Sequence, residues 1–234
     1  WINGYIRVVK DIKDILFIVQ ARLDSTRCPK KMIRPFADTT ITNIVLNKLK
    51  RSIAPNANIY LSAYEDELKA IAMAEDINIF HRSSQSANWD GGEDLKDIFE
   101  WWNKLPFKYI MMINGCTPML TIATINNFIE EYMKTTNDAM FGVTKNKKYI
   151  WDISGAILNS PHLDVAPDTK TVKAYYEAAH CLYAGTMEKI GQNIWMGDFS
   201  KKGDIDFFEI PEEEAYDIDH EWQFKICESI YKTI

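Results

Sequence analysis

The feature that most constrains this chain is an alternation of short apolar runs with longer segments whose apolar residues recur every three to four positions. Ile15–Ala21 is such a run, apolar without a break from Ile15 to Val19, and a strand of that pattern must be covered on both faces. Ile41–Arg51 then carries Ile41, Ile44, Val45 and Leu49 on one helical stripe, with Thr39 or Thr40 placed to cap it. The rhythm continues with strands expected over Asn58–Ala63, Ile77–His81, Tyr109–Ile113 and Ala139–Val143. Helices are expected between them over Asp66–Asp76, Glu93–Asn103 and Thr121–Met133. Such β-α repetition predicts an α/β fold, a mostly parallel sheet with helices on both faces.

After residue 144 the pattern loosens. Tyr149–Leu158, Lys170–Tyr176 and His180–Ala184 read as shorter strands, with Pro161 and Pro167 between them. Regular elements return at Ile205–Ile210, Ala215–Asp219 and the closing helix Glu221–Ile234. Residues 144–184 are therefore expected to leave the sheet as a small β arm, serving as a lid or a dimerisation element of one domain over residues 1–234.

The balance of charges narrows the function classes. With 27 Lys+Arg against 33 Asp+Glu, the net charge of −6 argues against a nucleic-acid-coating protein. No stretch reaches the roughly 18–20 apolar residues of a membrane span, so neither nucleic acid nor membrane is expected as a partner. Cys28, Cys116, Cys181 and Cys227 lie far apart, as do His81, His162, His180 and His220, so no zinc site is readable and reduced thiols in a cytoplasmic protein are expected. The chain starts at Trp1 rather than Met, which suggests a trimmed or longer parent protein.

Ligands of open parallel sheets bind outside the carboxyl ends of the strands, and four polar clusters are expected there. These are Arg22–Lys31, His81–Gly92, Asn114–Pro118 and Asp217–Asp219. The first places Arg22, Arg27, Lys30 and Lys31 around Ser25 and Thr26, a composition suited to phosphate oxygens, the alternative being a solvated basic loop. No Gly-rich phosphate-loop or dinucleotide pattern occurs. In the last cluster, Asp217 and Asp219 stand two apart. On a strand both carboxylates would face one point, a natural Mg²⁺ or Mn²⁺ site completed by substrate phosphates. The alternative is that Asp219 merely caps the following helix.

These residues carry a resemblance. The spacing of Ala21, Arg22, Ser25, Arg27, Pro29 and Lys31 resembles the signature loop of the cytidylyltransferases that activate keto-sugar acids, the CMP-sialic acid and CMP-Kdo synthetases among them. Phe80-His81-Arg82, Ile113–Met119 and Ala215–Glu221 are similar to three later family segments in the expected order. The resemblance spans roughly residues 15–230 and implies a Rossmann-like nucleotide-diphospho-sugar transferase domain. It implies transfer of CMP from CTP to the anomeric hydroxyl of a keto-sugar acid, with release of pyrophosphate, in a homodimer. Ala21, Arg22, Ser25, Arg27, Lys31 and Arg82 would then bind the nucleotide. Arg22, Lys31, Asp217 and Asp219 would be catalytic, the two aspartates holding the metal.

The sugar-facing half departs from the family. Asn114-Gly115-Cys116 stands where Gln-Pro-Thr is usual, and Ala179-His180-Cys181-Leu182-Tyr183 replaces Asn-Gly-Ala-Ile-Tyr. Asn114, Thr117, Glu177 and His180 are the candidate substrate contacts, although His180 also reads as a residue simply hydrogen-bonded at a strand start. Trp101-Trp102 and Tyr175-Tyr176 read as core or dimer interface. Two rival classes are a metal-dependent glycosyltransferase using a nucleotide sugar and a non-catalytic nucleotide-binding domain of a larger protein. The former usually carries its paired aspartates mid-chain and lacks the basic loop.

Overall fold

The computed structural model describes residues 9–89, 91–92, 94–160, 170, 172–195, 197–198 and 201–233. In chain order the elements begin with β1 (Ile15–Gln20), a small hairpin of β2 (Pro35–Phe36) and β3 (Thr39–Thr40), then α1 (Ile41–Lys50) and β4 (Ile59–Ala63). There follow α2 (Asp66–Ala74), β5 (Asn78–His81), α3 (Ser84–Ala87), α4 (Leu95–Ile98) and β6 (Tyr109–Ile113). The remainder are α5 (Ile122–Lys134), β7 (Ala139–Asn146), β8 (Tyr175–Thr186), α6 (Met187–Gly191), β9 (Ile205–Glu209) and α7 (Glu221–Tyr231).

Seven strands form one sheet in the order β5-β4-β1-β6-β8-β7-β9. All run parallel except β8, which is antiparallel to both neighbours. The chain builds outward from β1 through β4 to β5, then returns to add β6 on the other side, so the strand order reverses beside β1. That reversal opens a crevice at the carboxyl ends of the strands.

The apolar run of β1 is central because both its faces are covered. Ile15, Phe17 and Val19 pack in one core with α1, α5 and α7, while Leu16 and Ile18 pack in a second core with Ile98, Trp101 and Ile190. All five side chains from Ile15 to Val19 are fully buried. The α1 cap is Thr40, whose hydroxyl accepts the Asn43 amide at 3.1 Å.

Four expectations are corrected. The helix expected over Glu93–Asn103 breaks at Phe99, leaving α4 and a 3-10 helix over Glu100–Asn103; Glu93 lies outside the described residues. The break turns Ile98, Phe99 and Trp101 all into the core, which a single helix stripe cannot do. Tyr149–Leu158 is not a strand but a turn closed by a Trp151–Ile157 bridge, where the Asp152 carboxylate accepts the Ser154 and Ala156 amides. Lys170–Tyr176 and His180–Ala184 are not two strands, because pairing begins at Tyr175 and runs on through β8. Ala215–Asp219 is irregular chain rather than a strand, tied to the turn after β6 by the Ile218 amide donating to the Cys116 carbonyl at 3.0 Å.

Of the stretch 144–184 expected to leave the sheet, Leu182–Ala184 instead pair with Ile113–Met111 of β6 inside it, and among the described strands only the outer ends of β7 and β8 project. Thr144–Asn146 pairs with Tyr175–Glu177 beyond Val143, the last β7 residue that pairs with β9. Pro161, His162 and Pro167 lie outside the described residues.

Candidate active site

The loop leaving β1 turns where backbone bonds force it to. The Ala21 amide donates to the Ser62 carbonyl at 3.0 Å and the Leu23 amide to Glu65 Oε1 at 2.8 Å, so β4 holds the loop's first residues. At its far end Lys30 adopts φ +53°, and Arg34 pairs with Glu221 at 2.8 Å while lying over the Phe224 ring. The α7 N-terminus therefore grips the loop from the opposite side.

Between those anchors is a cavity of about 400 Å³. Arg22, Ser25, Arg27, Lys31 and Asp219 line it with Cys116 and Trp89, so five residues singled out from the sequence converge there. Arg22 donates to the Trp89 carbonyl at 3.0 Å, which ties the roof of the cavity to its wall. Arg27 pairs with Asp219 Oδ1 at 2.9 Å, and Lys31 approaches the same oxygen at 3.4 Å while donating to the Ile218 carbonyl.

Asp219 does not cap α7. His220 is the N-cap, and the Gln223 side chain accepts the Asp219 and His220 amides at 2.8 and 2.7 Å, which leaves the Asp219 carboxylate free to face the cavity. Ile218 is fully buried between the two acids. The two acids thus flank Ile218 on irregular chain rather than on the strand expected from their i, i+2 spacing.

Asp217 sits deeper. Its Oδ2 accepts from Asn114 Nδ2 at 3.4 Å, and its Oδ1 is buried without a hydrogen-bond partner. Burial, then repulsion from Asp219, raises its pKa above the ordinary carboxylate value, against the pull of Lys31 and His180. Burial lowers the Lys31 pKa, but attraction to Cys116, Asp217 and Asp219 outweighs it and leaves the lysine above its usual value. Because burial pushes the Cys116 thiol itself up to about 11, it is neutral at pH 7, and the two carboxylates supply the attraction there.

The turn after β6 is the scaffold for Asp217. Asn114 donates to the His180 carbonyl at 2.7 Å and accepts the Cys116 amide at 2.9 Å, so one amide bridges β8, the turn and the acid. A Cβ at Gly115 would come within 2.7 Å of Met32 Cε, so the methionine end packs against the turn's backbone. Thr117 is corrected as a substrate contact. It is buried, and its hydroxyl is spent on the Asn114 carbonyl at 2.9 Å.

His180 owes its position to a bulge. Pairing jumps from Phe141↔Tyr183 to Val143↔Ala178, so β8 carries surplus residues here, and Gly142 opposite lets Leu182 and Ile210 approach closely. His180 takes φ +53° at the position where the family segment has glycine, and its exposed ring bonds Tyr183 Oη at 2.9 Å. Glu177 is not brought to the cavity by any bond among the described residues. Its carboxylate accepts from Asn146 at 3.0 Å on the arm.

Arg82 lines a second, smaller pocket of about 210 Å³ together with Gln20, Arg22, Ser86, Trp89, Ile98 and Phe99. Its buried guanidinium donates to Ser86 Oγ at 3.1 Å and to the Ala21 and Ser86 carbonyls. Burial lowers its pKa to about 10, so it stays cationic at neutral pH. Ala21 itself contributes backbone rather than a lining side chain. Trp89 and Cys116 were not singled out as site residues, although each sits in a flagged cluster, 81–92 and 114–118 respectively. Trp101 is core, as expected, with its indole N–H on Gln20 Oε1 at 3.0 Å.

Among the described residues no helix is long and apolar enough to cross a membrane. Over 94% of this chain and 99% of the other, the fold is similar to a CMP:2-keto-3-deoxy-manno-octonic acid synthetase complexed with CTP, at 11% identity and a TM-score of 0.67. A 4-diphosphocytidyl-2C-methyl-D-erythritol synthase from Anaerococcus prevotii matches at 15% identity and a TM-score of 0.65, over 95% of this chain and all of the other. A stretch of 41 residues is 42% identical to the spore coat polysaccharide biosynthesis protein SpsF of Bacillus subtilis, covering 18% of this chain and 17% of that one. The sequence profile named cytidylyltransferase matches residues 16–202, most of the chain and most of the site, and on that match the chain belongs to the cytidylyltransferase family.

Proposed function

We propose that this enzyme transfers CMP from CTP to the anomeric hydroxyl of a keto-sugar acid, for the synthesis of a surface polysaccharide or glycan. The observation that carries the reading is the convergence of Arg22, Arg27 and Lys31 with Asp219 around one cavity at the strand ends, with Asp217 in the electrostatic field of Lys31 behind it. In the reaction the acceptor oxygen forms a bond to the α-phosphorus, the bond to the bridging oxygen breaks, pyrophosphate departs and the hydroxyl proton is lost. Such a transfer needs positioning and charge neutralisation more than covalent help.

The triphosphate occupies the larger cavity. Arg22 and Lys31 neutralise it, and Arg27, whose side chain is 58% exposed, exchanges Asp219 for phosphate oxygen as the ligand enters. Ser25 and the loop amides supply further donors. The base enters the adjoining pocket beside Arg82, which shares Arg22 and Trp89 with the cavity.

A divalent cation fits the acidic side. Asp217 Oδ1 is buried with no donor, Asp219 is its neighbour in the same field, and both oxygens are hard ligands of the kind Mg²⁺ and Mn²⁺ take. Asp217 and Asp219 would hold it, and when bound it would offset charge on the α-phosphate. On the acceptor side, His180 presents its ring from the bulge and Asn114 sets the bulge carbonyl. The partial likeness to the spore-coat protein supports the polysaccharide role.

Pyrophosphate release measured with CTP across a panel of keto-sugar acids tests the proposal. Release with at least one acid is expected. Release from no acid, or turnover of a UDP-sugar in its place, overturns it.

A further inference from the structure

The smaller pocket is unusual in what its side chains offer. Gln20 ends β1 on the same face as Leu16 and Ile18, so its amide reaches the layer that holds Trp101. An indole nitrogen only donates, so its 3.0 Å bond assigns the Gln20 oxygen to Trp101 and turns the NH₂ end away from it. No partner takes that NH₂ among the described residues.

Arg82 beside it has five N–H groups, of which Nε and one on each terminal nitrogen are spent on Ser86 Oγ, Ala21 O and Ser86 O. One N–H remains on each terminal nitrogen. Ser86 has no proton left to donate, because its hydroxyl donates to the Ile98 carbonyl at 2.6 Å. Ile98 and Phe99 supply apolar wall, and Trp89 an exposed aromatic face. The Gln20 NH₂ and one N–H on each terminal nitrogen of Arg82 are therefore donors in this pocket without an acceptor among the described residues.

We propose that Gln20, held by Trp101, is the specificity residue that selects cytosine over uracil. This rests on the reading of the enzyme as a nucleotidyltransferase whose base enters this pocket. Cytosine offers acceptors at both O2 and N3, matching the donors of Gln20 and Arg82. Uracil carries a proton on N3, so in the same pose two donors meet and one stays unsatisfied in a sheltered site, which disfavours it. A site built to complement a hydrogen-bonding edge discriminates far better than an apolar one.

The test measures CTP and UTP binding calorimetrically, without acceptor, and then turnover. Wild-type protein is expected to bind CTP at least about tenfold more tightly than UTP. Gln20→Glu keeps the acceptor for Trp101 but replaces the NH₂ with an acceptor, and should lower the CTP:UTP affinity ratio about tenfold or more. Gln20→Met, similar in length and without either group, should weaken CTP alone, raising KM more than it lowers kcat. Thermal melts confirm folding of each variant. An unchanged ratio in both folded variants, or equal binding of CTP and UTP by the wild type, overturns the role of Gln20 while leaving the transferase reading intact. A wild type that binds neither nucleotide overturns both.

Discussion

The two edges of the crevice are built differently. On the edge proposed for the nucleotide the basic loop is clamped at both ends, by the α2 N-cap through the Leu23–Glu65 bond and by α7 through Arg34–Glu221. Lys31 of the loop is held by Asp219 and the Ile218 carbonyl before any ligand arrives, and Arg82, after β5, is buried among carbonyls. On the edge proposed for the acceptor the chain meets the site through a bulge, where an exposed histidine holds a left-handed backbone and keeps one bond to Tyr183. Pre-ordering pays on the nucleotide side because triphosphate is invariant in shape and charge. The looser edge is where acceptors can differ, and there the chain departs from its family.

The sharpest way to break this contrast is to remove the acids. Asp217→Asn and Asp219→Asn should each lower turnover on the order of 1,000-fold, and activity should vanish with EDTA and return with Mg²⁺ or Mn²⁺. Because the folded-state pKa of Asp217 is raised, its charge opposes folding once pH exceeds that value, and the penalty disappears as pH falls below the ordinary carboxylate range. Asp217→Asn should therefore melt no lower than wild type at pH 7. A double variant that still turns over, or one that fails to fold, would remove the metal site.

Next come the loop cations. Lys31→Ala and Arg22→Ala should each cost about 10- to 100-fold in kcat/KM for CTP, the worth of a charge-assisted phosphate contact of roughly 1.5–3 kcal/mol. Unchanged CTP kinetics in both would dissolve the distinction between the two edges.

A smaller effect is expected at the bulge. His180→Ala should raise the acceptor KM about tenfold while leaving CTP binding within about twofold, the loss of one hydrogen-bonding group. His180→Gly should show the same kinetic loss yet melt at a temperature no lower than His180→Ala, since glycine takes φ +53° without strain. A parallel change in CTP affinity would show that the edges are not separable.

The smallest effect tests a corrected residue. Thr117→Val should lower stability by about 1 kcal/mol through the lost bond to Asn114, with the acceptor KM unmoved. A shift in acceptor KM at constant Tm would restore Thr117 as a contact.

Much of this was legible in the residues. Local periodicity identified the β1 run, α1, α2, α5 and α7, because burial on a face or stripe is a property of neighbouring residues. The basic loop and the acid pair were readable for the same reason: their spacing is short, and each sits at an element boundary. What a spacing rule missed depends on long-range partners. The break at Phe99 follows from three side chains wanting one core, and the fate of Thr117 from a carbonyl only the folded turn presents.

The sequence by itself determined the α/β class, the chain order of the main elements and the two charged clusters, since these depend on contacts within a turn or a strand. Only the tertiary structure decided that Asp219 is freed by Gln223, that Asn114 joins β8 to Asp217, that Glu177 stays with Asn146 on the arm, and that Gln20 faces Arg82. Apart from the Asp219–Gln223 bond, which is local, each of those brings together residues far apart in the chain. Such pairings are settled by which groups the sheet order brings to one edge, a quantity that no local pattern encodes.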